Sequence, residues 1–139
     1  MIKIFYVVLL IWIAYIDFKK KQIPDFLIAA VGMCGILSVV FKDPVAISQR
    51  IFGMIMAFVI YFCILLCVPG SFGGGDVKLS MALGFYMGAE KWIYSFMYAV
   101  ILSAAYIGIL FLIKKYDRKK EIAFGPFLCI GALLAGFLR

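Results

Sequence analysis

Gly73-Gly74-Gly75-Asp76-Val77-Lys78-Leu79 places three glycines and an acid between two strongly apolar tracts. Consecutive glycines forgo side-chain packing and weaken any regular element they enter. They also allow other backbone and other groups to come close to the carboxylate that follows. A carboxylate at or near membrane depth is costly and points to function. The stretch therefore raises the question of what faces Asp76, and the remainder of the chain offers Asp17.

The 139 residues are 67% hydrophobic and only 15% charged, with mean hydropathy +1.14. Soluble domains are about half apolar and about a quarter charged. Here the excess lies in runs, with the few charges gathered between them, which is the pattern of membrane-spanning helices. The expected fold is all-α: a polytopic membrane helix bundle of about six transmembrane helices forming one domain, residues 1–139. The spans are read as Ile2–Ile16, Pro24–Phe41, Ile47–Pro69, Val77–Ala89, Trp92–Ile113 and Ile122–Leu138. The first and fourth are short, and the fourth also reads as a re-entrant or partly sunken helix. No small-residue cleavage site follows the first run, so it reads as a retained helix rather than a signal peptide.

Orientation follows the basic residues. Lys19, Lys20, Lys21, Lys78, Lys114, Lys115, Arg118, Lys119 and Lys120 fall on one side; Lys3, Lys42, Arg50, Lys91 and Arg139 fall on the other. The richer side is expected to be cytoplasmic, with both termini outside and with Asp17 and Asp76 at the cytoplasmic face of the cell (inner) membrane. This topology, together with anionic lipid headgroups at that face, accounts for the net charge of +7 without nucleic acid. Cys34, Cys63, Cys67 and Cys129 lie in apolar runs, with no Cys-x-x-Cys pair and no histidine in the chain. They read as small packing residues, and no metal or other cofactor is expected.

Each candidate residue has a structural reading beside its functional one. Asp17 can be a helix-end acid paired with Lys20 or Lys21 at surface value. Asp76 can cap its helix by accepting from the first free N–H groups. A phosphate-cradling loop is a poor fit, because the glycines lead into an acid and lack the Gly-Lys-Ser/Thr ending. Lys78, two residues from Asp76, points away from it on a helix and suits a lipid headgroup or a substrate backbone. Ile23-Pro24 marks a sharp turn, and Asp25 favours the positive end of the helix that follows. Gly84-x-x-x-Gly88 is a small-residue face for close helix packing and would permit a homodimer. Gly125-Pro126 is expected to break regular helix and to place irregular backbone beside the aspartates.

Three patches together resemble the prepilin peptidases, the type IV leader peptidase family of membrane aspartic peptidases with a Gly-x-Gly-Asp motif. They are Asp17 followed by Ile23-Pro24; Gly73 to Leu79; and Ala123-Phe124-Gly125-Pro126-Phe127. Their order and spacing match across essentially the whole chain. Where the family usually has Asn, this chain has Asp25. The resemblance implies catalysis by Asp17 and Asp76, with Gly73, Gly74, Gly75, Lys78, Gly125 and Pro126 in support. It implies a role for Ile23, Pro24 and Asp25 in the turn or in substrate contact. It further implies a pilin-like precursor as substrate, cut after a short basic leader; the basic loops of this chain would repel such a leader, and Asp25, Asp117 and Glu121 are the acids available to offset that. The absence of paired cysteines resembles the short, peptidase-only branch, for which no methyltransferase activity is expected. On the residues alone, the alternatives are a small cation or proton channel or transporter subunit, and a non-catalytic membrane factor of a secretion system.

Overall fold

The computed structural model describes residues 1–70, 73–115 and 124–137. Within them the chain forms six helices: α1 (Ile2–Lys20), α2 (Asp25–Val40), α3 (Ile47–Cys67), α4 (Gly74–Met87), α5 (Ala89–Leu112) and α6 (Gly125–Phe137). Ser71 and Phe72 of the glycine-rich connection, residues 116–123 with Asp117, Glu121 and Ala123, and residues 138–139 lie outside the described residues.

The helices follow the apolar runs, and the differences lie at their ends. α1 continues past Ile16 through Asp17 to Lys20, and Lys21 closes it in the left-handed conformation (φ 53°). Lys19 and Lys20 in the last turn complement the negative end of the helix dipole. Pro24 precedes α2 as its N-cap instead of occupying its first turn, with ψ 133° keeping it extended. The glycine run is less irregular than expected. Gly73 is the N-cap, and Gly74 and Gly75 are already helical, so Asp76 is the third residue of α4. Gly125-Pro126 likewise starts a helix instead of breaking one. At the first turn a proline's missing N–H has no intrahelical partner to lose.

α4 packs against α2, α3, α5 and α6, while α1 packs on α2 and α6. Leu10, Ile13, Leu27, Val31, Leu79, Leu83 and Leu128 form the core. Gly84 serves the predicted close packing, but against Gly53 of α3: a Cβ on either glycine would overlap the other's backbone. Gly88 has a different task. Its φ of +84° forms the one-residue corner between α4 and α5, a conformation that L side chains rarely adopt.

α3 and α5, at 21 and 24 residues, are long and apolar enough to cross a membrane. They turn Phe52, Phe58, Phe62, Ile101 and Ile109 outward. α4, with 14 residues, is about 21 Å long and falls short of a hydrocarbon core of about 30 Å.

Arg50 is fully buried, near the start of α3, and the charge pattern alone assigned it only to the non-cytoplasmic side. It donates to Ser38 Oγ (2.7 Å), Tyr86 O (2.9 Å), Phe85 O (3.3 Å) and Val45 O (3.3 Å), and pairs with Asp43 (3.4 Å). The guanidinium thus satisfies carbonyls at the C-terminal end of α4 and ties that end to α2 and α3. Replacing it by Leu leaves several buried acceptors and an acid unpaired, a defect worth about 3–5 kcal/mol. Arg50→Leu is expected to lower the thermal unfolding midpoint of the detergent-solubilised protein markedly. Arg50→Lys is expected to recover only part of the loss, because an ammonium cannot reproduce the fork.

Candidate active site

Asp17 lies in the last turn of α1 and Asp76 in the first turn of α4, and the antiparallel run of these helices brings the two acids to the same end of the bundle. Asp17 is 4% exposed and forms no ion pair among the described residues, so neither Lys20 nor Lys21 holds it. The Gly125 N–H donates to its carboxylate. Asp76 is half-buried and does not act as N-cap; it reaches back from the third helical position to accept from the Gly73 N–H. The two acids are close enough that the charge of one opposes ionisation of the other.

The three sequence patches converge on this point. Ile23 lies against both glycine positions: a Cβ on Gly75 would sit 3.3 Å from Ile23 Cβ, and one on Gly125 would sit 3.3 Å from Ile23 Cδ1. Gly75 therefore makes room for Ile23, whereas Gly125 makes room for Asp17 itself. Gly73 and Gly74 are exposed and have no such close neighbour; Pro24 and Pro126 shape the starts of their helices. Lys78 and Asp25 pair with each other at 3.3 Å on the exposed rim, apart from the two acids. At that exposure the pair contributes little stability.

Sequence reading passed over the second layer of the site. Cys129 is 1% exposed and feels both carboxylates. Tyr61 of α3 is fully buried within the field of Asp76, and Ser80 accepts a hydrogen bond from Trp92 Nε1. The available signal was the i, i+4 spacing of Asp76 and Ser80, which sets them on one helical face. Among the described residues no group of three metal-ligating side chains forms.

Both acids lie just outside the apolar runs Ile2–Ile16 and Val77–Ala89. Burial raises Asp17 above the usual carboxylate range, against the opposing Gly125 N–H. Burial first, and then the charge of Asp17, push Asp76 up to about 6, against the opposing Gly73 N–H. As pH rises the pair loses one proton, then holds the second until about 6. For a mechanism needing one acid and one base, kcat/KM is expected to fall as pH rises through that second ionisation. A pH profile of turnover checks this, and substrate binding, by excluding water, should displace the limb of kcat to higher pH.

Two carboxyls whose charges oppose one another's ionisation at the end of a helical bundle form an arrangement suited to acid–base hydrolysis. The chain belongs to the type IV leader peptidase family, whose model matches residues 4–109. It is 30% identical over 149 residues to a prepilin leader peptidase/N-methyltransferase of Legionella pneumophila, covering 98% of this chain and 50% of that protein. It is 27% identical over 135 residues to the protein of the same name from Aeromonas hydrophila, covering 91% of this chain and 45% of that protein. A shorter match, 30% identical over 66 residues, joins 48% of this chain to 27% of a Bacillus subtilis (strain 168) protein of that name. The chain thus spans about half or less of the length of the curated relatives it matches. No solved structure matches it significantly.

Proposed function

We propose that this chain is a membrane aspartic endopeptidase that removes the short basic leader of type IV pilin-like precursors at the cytoplasmic face. The observation that carries the reading is the electrostatic coupling of Asp17 and Asp76 at one end of the bundle. Family membership supports it. In the proposed topology all six helices lie in the inner membrane with both termini outside, following the asymmetry of the basic residues.

The ionised acid takes a proton from a water that attacks the scissile carbonyl. The protonated acid donates its proton to the carbonyl oxygen as the tetrahedral diol forms; when the diol collapses, the acid that took the water's proton passes it to the leaving amine and the diol hydroxyl returns its proton to the other acid. Each acid ends the cycle in a state from which the shared proton is restored. The apolar helix of the precursor lies beside the bundle, and its leader reaches the aspartates from the cytoplasm.

The test is co-expression of a pilin-like precursor with wild type or with Asp17→Asn, reading leader loss by gel mobility. Wild type should cleave and Asp17→Asn should not, with both proteins present in the membrane. Normal cleavage by the variant would remove the aspartate pair from the mechanism.

A further inference from the structure

We propose that a cleft at the end of the bundle opposite the acids binds an anionic phospholipid, with its phosphate at Lys3 and Lys91 and its acyl chain against α1 and α6. The inference goes beyond the reading above. It needs the bundle to sit in a membrane but does not need the aspartate pair, and its test reads no cleavage.

The cleft has a volume of about 250 Å³. Five segments meet there: the starts of α1 and α5, the ends of α4 and α6, and the connection between α2 and α3. Lys3 and Lys91 line it from the first turns of α1 and α5. Both are exposed, and neither forms an ion pair among the described residues. Asp43 also lines the cleft, but Arg50 already pairs with it at 3.4 Å. The buried guanidinium therefore offsets the acid and leaves two positive charges for a ligand. Ammonium groups serve a phosphate as point charges. In the proposed topology this is the side on which basic residues are disfavoured. Two of the five assigned to it nevertheless meet at one cleft.

The rest of the lining explains why the ligand is a lipid. Val7 of α1 and Leu133 and Phe137 of α6 give the cleft an apolar wall. A free inorganic anion would leave that wall without a partner, whereas a phospholipid covers it with its chain. Basic pockets between membrane helices hold lipid headgroups in this way. Gly136 adds room, because a Cβ built on it would meet nothing within 4 Å. Behind the cleft the rings of Tyr6 and Tyr86 stack at 3.9 Å and join α1 to the end of α4. Lysines that merely snorkel to the surface need no shared cleft with an apolar wall.

The test is thermal unfolding of the protein purified in neutral detergent. Dioleoyl-phosphatidylglycerol, the matching phosphatidylcholine and inorganic phosphate are added separately. Phosphatidylglycerol is expected to raise the midpoint by about 5 °C, and the other two much less. Lys3→Gln/Lys91→Gln should abolish this response. Lys19→Gln/Lys20→Gln removes the same charge at the opposite end and should retain it. Gly136→Leu puts a side chain into open space, so it fills the cleft without a clash; it should lose the response with both lysines in place. A response that persists in Lys3→Gln/Lys91→Gln, or is lost equally in Lys19→Gln/Lys20→Gln, would mean diffuse attraction to the surface and would overturn the site. An equal rise with phosphatidylcholine or with inorganic phosphate would overturn the anionic lipid as its ligand, as would no rise at all. An undiminished response in Gly136→Leu would remove the acyl chain from the cleft.

Discussion

Asp76→Asn is expected to lower precursor cleavage by about 10²–10⁴-fold, the contribution of a positioned general acid or base. Asn keeps the volume and much of the hydrogen bonding of the side chain, so the Gly73 cap and the fold should survive. What it cannot do is exchange a proton. Asp17→Asn should cost a similar factor, and the double variant should cost little more than either alone, because the two act as one unit. The check is the initial rate of leader removal by single and double variants at equal membrane abundance. Losses that multiply in the double variant would mean that the acids act in separate steps.

The second large effect is expected from Gly125→Ala, a single methyl group outside the family's acid motif. A Cβ at position 125 would overlap the Asp17 carboxylate. Either the carboxylate rotates away or the start of α6 retreats. Both outcomes separate Asp17 from the Gly125 N–H and alter its distance to Asp76. A displacement of about 1 Å in a reacting group costs roughly 10²-fold. Gly136→Ala is the matched control: it lies on the same helix, with nothing within 4 Å of its Cβ position. Cleavage should collapse in the first variant and persist in the second, and the unfolding midpoints should show that both are folded. Full activity of Gly125→Ala would mean that α6 yields freely and does not set the position of Asp17.

Much of this was legible in the chain itself, and the reasons differ by feature. The helices could be read because apolar runs in a chain of this hydropathy have few alternatives. The two acids stood out because each interrupts or ends such a run. The helix boundaries were harder: glycine and proline are usual at helix ends as well as in loops, so Gly74, Gly75 and Gly125 read as irregular although the structure starts helices with them. Arg50 was invisible as a core residue. Its partners Phe85 and Tyr86 are 35 and 36 residues away and contribute only backbone carbonyls, which no side-chain pattern records. Tyr61 and Trp92 were hidden for a related reason. On apolar helices an aromatic residue reads as packing, and only the tertiary arrangement shows that an indole N–H meets Ser80.

The Gly53–Gly84 crossing and the Arg50 bonds together hold α4 firmly at the end away from the acids. Asp76 stands eight residues from that crossing, a lever arm of about 12 Å. A tilt of about 5° around such a fulcrum carries the carboxylate about 1 Å, a distance to which acid–base catalysis is sensitive. The short helix can thus trim the separation of the two acids by pivoting, without unwinding or sliding. With the far end held, any tilt of the free end is read out directly in the spacing of the two carboxylates.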